Sequence, residues 1–222
     1  MTRLTTMPYQ HLRVHREGAV ESVTLDRPEV RNAFNPALVA SLHEWATSIR
    51  ADHAVRAVVL SGAGPAFCAG ADLHAMAEAV SATRSENARD AERLAAMFEA
   101  IDDLPVPLVG RVHGAAMGGG VGLVAVCDVA VADEAASFAF SEVKLGLVPS
   151  VISPFVLAKI GRSAARELFL TARPFPAARA REIGLVHEVV PGARLDDAVR
   201  RQVDAILTAG PDAVRGAKAA IR

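Results

Sequence analysis

The 222-residue sequence is poor in cysteine: it has only Cys68 and Cys127, each set among apolar or small residues. That excludes a disulfide-stapled secreted scaffold and fits inert packing in a reducing cytoplasm. No basic-then-apolar leader resembles a signal peptide, which agrees with a cytoplasmic location. An excess of one charge is lacking too. Lys and Arg number 24 against 25 Asp and Glu, a formal net charge of -1. No global field therefore draws the chain to DNA, RNA or an anionic membrane, and any polyanion site must be local. Long hydrophobic runs are also missing. The longest, about Val121 to Ala132, is broken at Cys127-Asp128 and falls short of the roughly 20 residues a membrane-spanning helix needs. A dinucleotide fingerprint would need glycine where Leu123 stands, and no glycine turn ends in the GK[ST] of a P-loop. No metal-ligand set is read, and no tightly bound cofactor is expected.

What is present is a largely apolar chain, 51% hydrophobic, long enough for one main domain. Leu12 to Arg16 and Val20 to Leu25 flank Glu17-Gly18-Ala19 and predict a hairpin. Asn35-Pro36 predicts a helix start, and Leu38, Leu42, Trp45 and Ile49 recur at helical spacing. Ala57 to Leu60 and Pro107 to Val112 read as buried strands, each running into a glycine-rich turn. Between them, Asp72 to Asp103 reads as two helices separated by a mobile polar segment, Ser81 to Arg89, suited to a lid. After the turn His113 to Gly122, a helix Leu123 to Val126 and strands at Val129 to Ala132 and Ser137 to Phe140 follow. Helices are predicted at 152–160, 163–171, 176–184 and 195–208, with a last helical piece after them. The fold class is α/β, with no linker, low-complexity tract or sequence repeat. Residues 1–190 are expected to form the core and 191–222 a C-terminal helical segment.

Two glycine turns carry the first chemical signal: Phe67-Cys68-Ala69-Gly70-Ala71-Asp72 and His113-Gly114-Ala115-Ala116-Met117-Gly118-Gly119-Gly120. Each follows a buried strand and precedes a helix, where backbone N–H groups lack intrahelical acceptors. Two such turns together can bind one oxygen. Close packing and positive φ angles are the alternative use of the glycines.

These turns lie in order with Arg27-Pro28-Glu29-Val30-Arg31-Asn32-Ala33 before them, and with the CDVAVA run from Cys127 and SEVKLGLVP from Ser141 after them. The series resembles the enoyl-CoA hydratase/isomerase (crotonase) family over about residues 10 to 190. The resemblance implies a spiral of β-β-α turns, assembled as a trimer or a dimer of trimers. It implies an acyl-CoA substrate, with CoA present only as part of the thioester. Ala71 and Gly119 match the two N–H donors to the thioester oxygen, each such donor commonly being worth about 3–4 kcal/mol to an enolate-like transition state. Glu142 matches the carboxylate that handles the α-proton; a solvated surface glutamate is the bland alternative. Substrate contacts map to Arg27, Arg31, Ala33, Ala69, Gly70, Asp72 and Leu73, with Arg27 and Arg31 as candidates for the CoA phosphates.

The sequence departs from the two-glutamate hydratase pattern at Gly122, where that pattern carries a second glutamate to orient water. The reaction expected is hydration of a 2-enoyl-CoA. The runs GGGVGLVAVCDVAVA and FAFSEVKLGLVPSVISPFVLAKIG resemble bacterial methylglutaconyl-CoA hydratase-like members, so a short, branched or carboxylated acyl group is implied. With one carboxylate, Glu142 serves both water and the α-carbon, aided by Ser150 or Ser153, for which helix capping is the alternative. Two other readings stay open: an isomerase using Glu142 alone, and a non-catalytic acyl-CoA or RNA-binding protein on the same scaffold, the RNA version weakened by the near-neutral charge. Leu73, Met76, Met97 and Phe98 are candidates for an acyl pocket or plain core. His74, Arg84, His113 and Lys144 are candidates for a substrate carboxylate or plain surface. Family members continue past the position matching Arg222, so the C-terminal segment is expected to be shorter than usual.

Overall fold

The computed structural model describes residues 9–221, apart from the side chains at positions 73, 74, 78 and 79. The chain opens with a hairpin of β1 (Leu12–Glu17) and β2 (Val20–Leu25), in which alternate residues of β2 are buried. Helix α1 (Pro36–Ile49) starts where Asn35 accepts a hydrogen bond from Leu38 N at 2.8 Å and proline takes the first turn. Then come β3 (Ala57–Gly62), α2 (Leu73–Ser81), α3 (Arg84–Asp102), β4 (Leu108–Val112), β5 (Ala115–Met117), α4 (Gly119–Ala125), β6 (Val129–Asp133) and β7 (Ser137–Ala139). The remainder is α5 (Ser153–Thr171), β8 (Phe175–Pro176), α6 (Ala177–Glu182), β9 (Glu188–Val190), α7 (Leu195–Thr208) and α8 (Pro211–Ile221).

The strands divide into two sheets in a regular way. A six-stranded sheet has the order β1-β2-β3-β4-β6-β9, parallel except for the first hairpin, and a three-stranded sheet has the order β5-β7-β8. Each strand pair within a unit sends one strand to the large sheet and the next to the small one: β4 then β5, β6 then β7. Successive units sit side by side, which is the expected β-β-α spiral.

The continuous apolar strands follow from burial on both faces of the large sheet. Ala57, Val109 and Val131 face Leu195, Ala198, Val199 and Val203 of α7. Their neighbours Val58, Leu108 and Ala130 face the main core with Trp45, Phe67, Phe98 and Phe138. Tertiary packing thus uses the period of two along each strand.

Four local expectations change. The polar stretch 81–89 is not a loop: the break between α2 and α3 is confined to residues 82–83. Thr83 and Glu86 form a reciprocal capping box that starts α3, so polarity there marks a solvent-facing helix start. The turn His113 to Gly122 holds strand β5, and α4 already begins at Gly119, with Gly122 inside it. Strands β8 and β9 were not expected, being two and three residues long. The gap between the helices at 152–160 and 163–171 is a kink in α5, where Gly161 adopts φ 72°.

One buried polar contact ties the hairpin to α1. Trp45, 1% exposed, donates Nε1–H to Glu21 Oε1 at 2.8 Å, and Glu21 is 7% exposed with Arg16 Nη2 at 3.3 Å from its other oxygen. Trp45→Phe keeps a ring but removes the donor to a buried carboxylate. It is expected to lower the unfolding free energy by about 2 kcal/mol, read as a shift in the urea midpoint.

Candidate active site

The site is assembled from a turn, two loops and one carboxylate. After a 3-10 turn at Pro28–Val30, Arg31 and Asn32 take left-handed conformations, φ 53° and 58°. This turns the Asn32 side chain inward, where it is fully buried. Its Nδ2 reaches the carbonyls of Ala63 and Ala66 at 2.8 Å each and of Phe67 at 3.2 Å, while Oδ1 accepts from Arg27 N at 2.9 Å. The loop entering the first glycine turn is thereby held to the segment before α1.

Beyond that anchor, Ala69 N donates to Arg31 O at 2.9 Å, Phe34 N to Gly70 O at 2.6 Å, and Asp72 N to Phe34 O at 2.9 Å. In this isolated parallel bridge between Phe34 and Ala71, the flanking residues make the bonds to Phe34, so the N–H of Ala71 points away from it. The second loop is fixed by Cys68 N to Ala115 O at 3.1 Å, Met117 N to Cys68 O at 2.9 Å and Gly118 N to Ala139 O at 2.8 Å. Gly119 is the first residue of α4, a position without an intrahelical acceptor. Among the described residues neither Ala71 N–H nor Gly119 N–H has a partner. The two loops touch at Gly70, φ 84°, where a β-carbon would stand 2.5 Å from Met117 O and 3.4 Å from Gly119 N.

Glu142 follows β7 at the start of a 3-10 turn, Glu142–Leu145. Its carboxylate lies over Gly118: a β-carbon there would be 3.0 Å from Oε1 and 3.3 Å from Cδ. Oε2 is buried with no hydrogen-bond partner among the described residues. Burial pushes the carboxyl above its ordinary 4.5, with a hydrogen bond from its own backbone N–H acting the other way. Ala71, Gly119 and Glu142 all line one cleft of about 580 Å³. The arrangement brings two unpaired backbone donors and one proton-accepting carboxylate to a single apolar-walled space.

Arg31, Ala33, Ala69, Gly70 and Asp72 also line this cleft. Arg27 does not line it. Its Nη1 is 2.6 Å from Ala33 O and 2.8 Å from Asp72 Oδ2, both in the loops it braces. Asp72 is buried in that pair. The Leu73 and His74 side chains lie outside the described residues. Met76 lines the cleft, whereas Met97 and Phe98 are core residues. Ser150 lines it too; Ser153 Oγ donates to Pro149 O at 2.6 Å. Arg84 and Lys144 are exposed, and His113 Nε2 contacts Gly64 O at 2.8 Å. Burial pushes the Cys68 and Cys127 thiols up to about 12, as inert packing cysteines require.

Gly122 is more than a missing glutamate. It is buried inside α4, where a β-carbon would be 2.5 Å from Ile152 Cγ2 and 3.0 Å from the Phe98 ring. The space a side chain would need is filled with hydrocarbon. Residues that sequence reasoning missed include Phe34, whose Cε2 would be 2.6 Å from a β-carbon on Gly119, and the cleft-wall residues Leu94 and Ile152. Phe34 directly follows the Arg27 to Ala33 motif, and that adjacency was the available signal.

The family model for enoyl-CoA hydratase/isomerase matches residues 15–222. The chain is 35% identical over 199 residues to a putative enoyl-CoA hydratase of Thermus thermophilus, covering 90% of this chain and 79% of the relative. It is 36% identical over 190 residues to the enoyl-CoA hydratase ACTT6 of Alternaria alternata, covering 86% of this chain and 62% of that longer protein. Among solved structures, a putative enoyl-CoA hydratase/isomerase (crotonase) from Legionella pneumophila superposes with a TM-score of 0.91 at 38% identity, over 95% of this chain and 82% of that one.

Two outcomes are expected from the site residues. Asn32→Ala strips donors from buried carbonyls and leaves the left-handed backbone at residue 32 without the amide that offsets its strain, lowering stability by about 3 kcal/mol in urea unfolding. For Glu142 the sign follows from its raised folded value. Below pH 4.5 the carboxyl is protonated in both folded and unfolded chains and costs nothing; as pH rises through the raised value, ionising it in place reduces stability. Glu142→Gln is therefore expected to raise the Tm at pH 7, with the gain vanishing below about pH 4.

Proposed function

Because the chain belongs to the enoyl-CoA hydratase/isomerase family, we propose that it hydrates a 2-enoyl-CoA, with Ala71 and Gly119 N–H groups on the thioester oxygen and Glu142 as acid and base. The observation that carries this reading is the Glu142 carboxylate over Gly118, with a buried Oε2 that, like the neighbouring Gly119 N–H, has no partner among the described residues. Water adds to C3 as the C2–C3 π electrons move onto the thioester oxygen, where the two amides stabilise the enolate. Glu142 takes the proton from water and returns it to C2 as the enolate collapses. A carboxyl whose affinity for protons is raised by burial suits both halves of that transfer.

Arg31, at the cleft, is the proposed phosphate partner for CoA, and the 69–72 loop the proposed neighbour of its adenine. Met76, Leu94, Leu145 and Ile152 give the cleft apolar walls, which supports a short or branched hydrocarbon acyl group. The resemblance to methylglutaconyl-CoA hydratase-like proteins puts a carboxylated substrate in the test panel as well. Assembly as a trimer or hexamer and a cytoplasmic location are part of the same proposal. No helix among the described residues is long and apolar enough to cross a membrane.

The packing at Gly122 favours a second reading. With Phe98 and Ile152 where a second carboxylate would need room, a single base shuttling one proton between carbons is an isomerase.

A panel of 2-enoyl-CoA and 3-enoyl-CoA thioesters separates these readings. Hydration appears as loss of the conjugated thioester absorbance, isomerisation of a 3-enoyl-CoA as its gain. Glu142→Gln is expected to reduce kcat roughly 1,000-fold in either case. Acyl-CoA binding without turnover of any member would favour a binding protein instead.

A further inference from the structure

We propose that Lys159 is a site of N-acylation by acyl-CoA thioesters, seated in a second cavity distinct from the catalytic cleft. The inference rests on the family reading that acyl-CoA thioesters are this protein's ligands. The sequence carries three lysines, Lys144, Lys159 and Lys218, against 21 arginines. Two of the three line one cavity of about 690 Å³, formed by the N-terminal half of α5, α8 and the turn between α4 and β6.

The two lysines are held differently. Lys218 Nζ is 2.5 Å from Asp128 Oδ2 and 3.1 Å from Val106 O, and that carboxylate oxygen also accepts Leu108 N at 2.7 Å. Its ammonium sits in an ion pair. Lys159 Nζ donates to the Cys127 carbonyl at 2.6 Å, and no carboxylate lies within ion-pair distance of it among the described residues. A carbonyl accepts from a neutral amine as well as from an ammonium, more weakly but with the same geometry, so loss of the proton keeps the contact.

Burial favours that loss, pushing the Lys159 ammonium below its ordinary 10.5; Cys127, Asp128 and Asp102 oppose the shift and Lys218 assists it. His187, half-buried with Nδ1 accepting Ala130 N at 2.9 Å, faces the same ammonium and is itself shifted down by burial. An arginine here would make the same carbonyl contact and stay cationic; the lysine becomes a nucleophile. Pro154, Phe155, Ala158, Val214 and Ile221 supply apolar surface for an acyl group beside the amine.

In the reaction the neutral Nζ attacks the thioester carbonyl carbon and the C–S bond breaks. The CoA thiolate leaves and takes up the proton that nitrogen loses. An amide forms and no redox partner is needed.

The test incubates the full chain with butyryl-CoA, a saturated thioester that cannot be hydrated, alongside Nα-acetyl-lysine as an ordinary amine. Peptide mass spectrometry then follows each lysine as a function of pH. Lys159 is expected to acylate severalfold faster than Nα-acetyl-lysine below pH 9, with the advantage shrinking as pH approaches about 10.5, and Lys159→Arg is expected to lack the adduct. Acylation of Lys159 no faster than the free amine, or a larger share of label on Lys144 or Lys218, would overturn the proposal. Neither readout requires turnover of an enoyl-CoA, so failure here is separable from failure of the proposed hydration.

Discussion

A primary amide has two donors and one strong acceptor, and Asn32 directs all of them at backbone. Its buried side chain holds the carbonyls at 63, 66 and 67 while receiving the amide of Arg27. Those residues have no regular secondary structure to satisfy them, and without the amide their burial would leave polar groups unpaired. The left-handed backbone at Arg31 and Asn32 is the local strain that this network offsets. Through Ala69 N to Arg31 O, the same anchor fixes the height of the first glycine loop above the sheet. Arg27 then closes the set by bridging Ala33 O and Asp72 on either side of the Phe34–Ala71 contact. The loop that carries Ala71 rests on that scaffold.

The glycines of the site act less by flexibility than by absence of volume. Gly70 lets one loop lie on the Met117 carbonyl, Gly118 makes room for the Glu142 carboxylate, and Gly119 accepts the edge of the Phe34 ring. Gly122 belongs to the same logic but with the opposite chemical result, since hydrocarbon from Phe98 and Ile152 occupies the space. The cleft therefore sets the two amides and the Glu142 carboxylate against walls that are mostly apolar. In the proposed hydration such asymmetry would place the low dielectric on the side of the acyl chain and concentrate the response to developing charge at the thioester oxygen.

Much of this was legible in the chain. The hairpin, the Asn35-Pro36 helix start and the buried strands follow from alternation, capping residues and β-branched runs, which are local properties. The motif series identified Ala71, Gly119 and Glu142 as a set, and all three line one cleft. What sequence could not deliver depends on contacts across long separations. The pairing of Arg27 with Asp72, 45 residues away, is not visible from spacing. Phe98 and Ile152 were far from Gly122 in sequence, so the filling of that space was hidden. The polar residues 83–89 misled for a different reason: a helix start rich in Ser, Glu and Asn looks like a loop until the Thr83–Glu86 cap is seen.

The order of the large sheet, β1-β2-β3-β4-β6-β9, never steps backward along the chain. Each strand docks on an edge laid down earlier, so the architecture suits vectorial growth from the ribosome, with a single advancing edge to protect at any moment. Competence for ligand arrives late in that sequence. On the proposed reading the two amide donors, Ala71 and Gly119, precede β6 while Glu142 emerges only after β7, so a nascent chain would be able to cradle an oxygen before it owned the group that moves a proton.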